Sequence, residues 1–392
     1  MIRFTILCAV ALVSAAKAGT AQDAQGTQHD HAQMNMSADW QFMQDGIVYS
    51  EFNHQPTSRG GDEFVVPNWW MGMAGRNTSH GRLTLASMLS LDPATVGKSG
   101  YRELFQTGEA LDGKPLIDRQ HPHDFFMQLA AEWRIPLTMT TGLTVVGAPV
   151  GEPALGPVAF MHRASAFDNP TAPLGHHTFD STHISYGVVT ASLDHGPWTV
   201  EGSVFNGREP DDGRWDFDFG ALDSVSGRLW FRPDPRWELQ VSTGHLRDPE
   251  QLHPGNLERT TTSLSWTHPS GANVDSVTVG YGRNDSDHAA RTAVFAEAVR
   301  RLDANTAYLR FEAVQRESST DRVFTLTLGG VRDVFNGGGV EGGFGADITV
   351  SRSPTPLRFE YGSHPASFHV FFRLRPTSAR MWNMRMAQPM SF

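Results

Sequence analysis

The chain has 392 residues, of which 39% are hydrophobic, with a mean hydropathy of -0.34 and a formal net charge of -10. A helical-bundle membrane protein is excluded, because each spanning helix needs about 20 consecutive apolar residues and no such run occurs. The acidic balance argues against nucleic acid as a partner. A transmembrane β-barrel stays open, since only alternate residues of each strand face lipid.

Met1, Ile2 and Arg3 form a short positive segment ahead of an apolar stretch over 4–16 that is too short to span. Small residues at Ala16-Lys17-Ala18 or Gly19-Thr20-Ala21 then suit cleavage, so residues 1–21 read as a signal peptide. The single cysteine, Cys8, falls inside it, which suits a mature chain free of disulfide chemistry in an oxidising compartment. Residues 22–39 are a polar leader carrying His29-Asp30-His31 and Met34-Asn35-Met36. Imidazole suits Cu(II) and thioether suits Cu(I), so His29, His31, Met34 and Met36 are candidate copper ligands. A plain disordered linker is the alternative. The leader resembles the Met/His-rich segments that precede the barrel in outer-membrane copper-resistance proteins, with one short cluster where that family repeats its motifs. The resemblance implies a metal-handling role.

Residues 40–392 form the barrel region. Candidate strands at 45–53, 64–74, 82–91 and 137–147 are irregular, and between them the pattern predicts one helix over 123–134. Pro122 stands at its first turn, Phe125, Phe126, Leu129, Ala130 and Trp133 form an apolar stripe, and Pro136 ends it. That helix is expected in an insertion near 115–136, as a loop or lumen element.

Histidines crowd this stretch: His121, His123 and Asp124, then His162, then His176, His177 and His183, with Asp180 nearby. Neutral imidazole beside carboxylate is a common ligand set for transition metals, copper among them. The alternative is that these side chains cap and line a wet loop or lumen.

From Thr182 onward, period-2 segments alternate with turn signals. Gly187, Val189, Ala191 and Leu193 share one face; after Asp194-His195-Gly196-Pro197, Trp198, Val200, Gly202 and Val204 continue it. Further hairpins turn at Pro233-Asp234-Pro235 and at His268-Pro269-Ser270-Gly271, and Phe368, Val370, Phe372 and Leu374 form the last strongly patterned strand. Tight turns alternate with longer polar loops at 207–221, 245–257 and 283–290, as in outer-membrane barrels, whose periplasmic turns are short. A final segment from Met381 to Phe392 would end on an aromatic residue, similar to the C-terminal signal of bacterial outer-membrane proteins. The expected fold is an all-β, transmembrane, antiparallel up-and-down barrel of about 16 strands, within 14 to 18, with short turns on the side of both termini. A soluble sandwich fits these long, numerous strands less well.

Two motif matches are set aside. Gly108 to Lys114 spells GxxxxGK, but Pro115 occupies the Ser/Thr position. Gly337, Gly339 and Gly342 spell GxGxxG within a hairpin turn. Three functions are compatible with the sequence: a porin-like channel or transport component with a polar lumen, a metal-handling barrel, or an outer-membrane lipid-modifying enzyme. The expected partners are the outer-membrane bilayer and a small solute or metal ion.

Overall fold

A computed structural model describes residues 39–377, except 288 and 317–320. The expected signal peptide, the candidate leader ligands His29, His31, Met34 and Met36, and the segment from Met381 to Phe392 lie outside the described residues.

The strands follow one another around a closed antiparallel ring. They are β1 (Gln41–Gln55), β2 (Gly61–Val65 and, in the same register beyond Pro67, Asn68–Thr78), β3 (Gly81–Leu89), β4 (Phe126–Pro136), β5 (Thr141–Gly151), β6 (Ser185–His195), β7 (Trp198–Phe205) and β8 (Ser224–Phe231). The ring continues with β9 (Trp237–Leu246), β10 (Leu257–Ser270), β11 (Asn273–Ser286), β12 (Ala290–Leu302), β13 (Asn305–Gln315), β14 (Arg322–Gly337), β15 (Val340–Arg352) and β16 (Ala366–Pro376). Pairing of β16 with β1, from Val48↔Leu374 to His54↔Phe368, closes it. Among the described residues the barrel therefore has sixteen strands, and it closes without the segment beyond Met381.

One end carries tight turns and the starts and ends of the chain's described strands. Gly196-Pro197 joins β6 to β7, and Gly338-Gly339 joins β14 to β15. Both of the latter glycines have positive φ, 65° and 82°, which a two-residue hairpin turn of the mirror-image type demands. The opposite end carries the long connections, including 90–125, 152–184 and 206–223.

The burial pattern is inverted relative to a soluble protein. Val241, Leu264, Val279, Leu326 and Val370 face outward and are exposed, whereas Arg259, Arg310 and Arg373 are among the largest fully buried side chains. Successive strand residues point to opposite faces, so the same alternation that makes the outer wall apolar lines the inner wall of β6–β16 with Ser, Thr, Arg and Glu. Aromatic pairs sit near the turn end of the outer surface: Trp198 with Phe231, centroids 4.3 Å apart, and Trp237 with Trp266 at 6.5 Å.

The helix expected over 123–134 is a strand instead. In β4, Leu83↔Trp133↔Val145 and Ala86↔Ala130 are ladder partners of the neighbouring strands. The apolar stripe that suggests a helix comes from two faces: Leu129 and Trp133 lie on one, while Met127 and Ala130 are buried on the other. The inner wall of β1–β5 is itself largely apolar, with Ile47, Met71, Met73, Met88, Met127 and Val150 in one buried cluster.

That inner apolar wall has a partner. The segment 152–184 folds into the barrel, where nearly all of it is buried, and its Leu155, Ala159, Phe160, Met161 and Ala172 join the same cluster. The insertions are thus 90–125 and 152–184, and both are extended or irregular apart from short helical turns such as Asp92–Thr95 and His176–Phe179.

Candidate functional site

The inward segment meets the polar half of the wall through ion pairs. Arg163 donates to both oxygens of Glu297 at 2.9 and 3.1 Å and to Asp180 at 3.1 Å. Arg310 shares Glu297 at 2.8 Å and donates to the Thr171 carbonyl at 2.8 Å. Arg373 and Arg375 both bind Asp168, and Glu312 accepts from the Gly175 amide at 2.9 Å. Smaller ties run from the Ala154 amide to Ser203 Oγ and from the Gly156 amide to Ser242 Oγ. The segment therefore packs by apolar contact on one side and is held by charge-assisted hydrogen bonds, the strong kind, on the other.

On the turn side, a cavity of about 530 Å³ ends against this segment. Pro157, Val158, Arg163 and Ala164 form its floor, and Arg228, Trp230, Ser263 and Thr278 belong to its wall.

At the loop end the histidines converge. Extended backbone around Pro122 sets His121 and His123 two residues apart and so on one side, their ring centroids 6.3 Å apart. The turn His176–Phe179 supplies His176 and His177, and it is pinned where Arg259 and Asn284 donate to the His177 carbonyl at 2.7 and 3.0 Å. Ring centroids are 5.9 Å apart for His121 with His176 and for His121 with His177. His176 and His183 are at 5.1 Å, and His123 and His183 at 5.6 Å. Five of the predicted ligands thus form one contiguous group.

The other predicted ligands lie beside or outside it. Asp124 accepts from Tyr186 Oη at 3.0 Å and Arg214 at 3.2 Å. His162 packs edge-on against Trp69, centroids 5.0 Å apart. Ser181 Oγ accepts from Arg259 at 3.1 Å, and His183 Nδ1 donates to the Asp180 carbonyl at 2.7 Å.

Every ring of the group has its Nδ1 engaged by an acceptor: Pro122 carbonyl for His121, Asp92 for His123, Asp180 for His176 and Glu209 for His177, at 2.8 to 3.2 Å. Because carbonyls and carboxylates only accept, Nδ1 carries the proton, and in the neutral ring Nε2 presents its lone pair. The Nε2 atoms of His121, His123 and His183 are buried with no hydrogen-bond partner.

Glu109 and Arg214, neither of which the sequence points to, complete the site. Glu109 Oε1 lies 3.3 Å from His121 Nε2, while its Oε2 accepts from Arg214 at 3.0 Å. Nothing in the spacing of Glu109 and His121 shows this; the small hairpin Glu109–Leu111 with Lys114–Leu116 brings it there. In these loops burial, reinforced by Arg214 and the neighbouring rings, holds His121 well below the usual imidazole range. Burial also opposes protonation of His177, yet Glu209 and Glu109 outweigh it and lift that ring to about 9, so an ion bound by this ring displaces its proton. Burial raises Glu109 against the pull of Arg214.

No family model matches the sequence, and no curated protein is found similar to it. Solved structures are similar in fold. An anion-selective porin from Comamonas acidovorans superposes with a TM-score of 0.51 at 9% identity, over 86% of this chain and 100% of that one. OmpF of Salmonella typhi, solved in complex with daunomycin, gives 0.51 at 6% identity, over 85% and 97%. A loop-deletion mutant of OmpT, an outer membrane protein of Vibrio cholerae, gives 0.50 at 8% identity, over 86% and 99%. The chain thus has the closed, sixteen-stranded, antiparallel barrel fold found in porins. The likeness of the leader to copper-resistance proteins finds no support in these comparisons.

Proposed function

We propose that this chain is an outer-membrane transport component, a porin-like barrel whose passage is restricted by the inward-folded segment 152–184. The observation that carries this reading is the pairing of an exposed apolar outer wall with buried Arg, Glu, Ser and Thr on the inner wall. Such a wall is unfavourable in water on its outside and hydrophilic within, which suits a bilayer around it and polar solute inside. The restriction is supported by contacts on two sides of the segment: Arg163, Gly175 and Asp168 are tied to β12, β13 and β16, while Leu155, Phe160 and Met161 pack on the apolar wall of β1–β5. A cavity open from the turn side and floored by Arg163 is the part of such a passage that stays clear.

The test is conductance of the purified, folded protein in planar bilayers, beside a variant lacking 154–182. The reading expects small or intermittent currents from the full chain and larger, steady ones from the variant. Absence of current from both would overturn it.

A further inference from the structure

We propose that Glu109, His121 and His177 form a binding site for a divalent transition-metal ion at the loop end of the barrel. One ligand atom from each lies within 4.8 Å of the others. The separation of His121 Nε2 from Glu109 Oε1, 3.3 Å, matches the edge of a tetrahedron whose metal bonds are about 2.0 Å long, roughly 3.3 Å. It is not a hydrogen bond, since His121 Nε2 is buried without such a partner. Buried polar atoms are rarely left so, and a ligand for the lone pair is one way to satisfy them.

The surroundings are those of oriented ligands. Pro122 and Glu209 hold the Nδ1 edges of His121 and His177, which is how metal-binding imidazoles are aimed and their tautomer set. Arg214 takes one oxygen of Glu109 and leaves the other facing His121. Gly108 lets the backbone approach: a Cβ there would lie 2.6 Å from the His177 ring.

Charge favours a cation as well. A cavity of about 200 Å³ beside the site is walled by Glu109, Glu209, Asp211, Asp248 and Glu250, against a single arginine, Arg208. Acidic walls concentrate cations at a mouth of this kind. Two imidazoles and one carboxylate leave a fourth position open, the arrangement of an exchangeable rather than a sealed structural ion. The unpartnered Nε2 atoms of His123 and His183 lie in the adjoining rings.

The experiment uses the full chain in detergent, stripped with chelator and titrated calorimetrically with Zn²⁺, with metal content measured after gel filtration. One Zn²⁺ per chain is expected, bound at least about 100-fold more weakly in H121A and in E109Q, beyond the 10- to 100-fold that loss of an orienting partner costs. An H29A/H31A variant should keep that ion, which separates this site from the leader. Heat-modifiable gel mobility checks that each barrel is folded; should H121A fail, the near-isosteric E109Q decides. No uptake by the wild type, uptake by both H121A and E109Q as tight as in the wild type, or loss only in H29A/H31A would overturn the site. Conductance plays no part in the readout, so the transport reading can fail independently.

Discussion

At the scale of single residues, Glu297 sets how firmly the inward segment is seated. It pairs with both Arg163 and Arg310, which are buried. Removing one partner of a buried pair typically costs about 3–5 kcal/mol, because the charge left behind is unpaired. Glu297→Ala removes the carboxylate that pairs with Arg310 and leaves Arg163 with Asp180. The expected outcome is a lowered unfolding midpoint together with faster proteolytic nicking within 152–184; a midpoint unchanged from wild type would show that the network is not what seats the segment. Gly108 is the other telling residue. Its φ of +116° is unfavourable for any side chain, and His177 occupies the space a Cβ would take. Gly108→Ala is expected to weaken Zn²⁺ binding about tenfold or more, since it displaces an aimed ligand, while gel mobility of the folded barrel stays as in wild type.

At the scale of elements, removal of the segment should be milder than the point change that unbalances it. Gly151 and Ser185 are ladder partners, so β5 and β6 can be rejoined by a short turn when 154–182 is deleted. Glu297, Arg310 and Arg373 would then face water rather than a dry interface, and solvation replaces the lost partners. The variant is expected to insert as a barrel and to conduct several-fold more than the full chain, measured channel by channel; a variant that inserts but conducts no better would mean that the segment does not limit passage. The same segment explains where the sequence is legible. Strands β6–β16 show clean alternation because their inner face meets polar groups, as at Thr190, Glu201 and Gln240, while Val189, Val200 and Val241 face outward. Along β1–β5 the inner face meets Phe160 and Met161 and is apolar too. With both faces apolar the period of two disappears, and the sequence from Phe125 to Trp133 takes on an accidental helical spacing. The cluster of His121, His123, His176, His177 and His183 could be picked out by density of imidazole alone. The contribution of Glu109 could not, because its approach depends on how three separate loops fold together.

At the scale of the whole molecule, a barrel embedded in a bilayer would fix the depth of each outward residue as well as its sidedness. In β9, Trp237 lies near the turn end, and Val241, two periods of alternation further along the same outward face, is 46% exposed. Strands rise about 3.4 Å per residue and tilt by about 35–45° in such barrels, which sets Val241 roughly 10 Å deeper than Trp237 and near the middle of an apolar band about 25 Å tall. Arginine at the midplane of a barrel's lipid face costs about 2–4 kcal/mol. Val241→Arg should therefore lower the stability of the folded barrel by about that amount in urea titrations from phospholipid vesicles. Its neighbour Gln240 faces inward, hydrogen-bonded to Thr261 at 3.1 Å, and Gln240→Arg should answer to packing in the interior instead, with no dependence on vesicle thickness. Varying the acyl-chain length separates the two: the penalty at 241 should shrink in thinner bilayers, where the residue lies closer to water. If both substitutions respond alike to bilayer thickness, the outward apolar wall is not a lipid-facing surface.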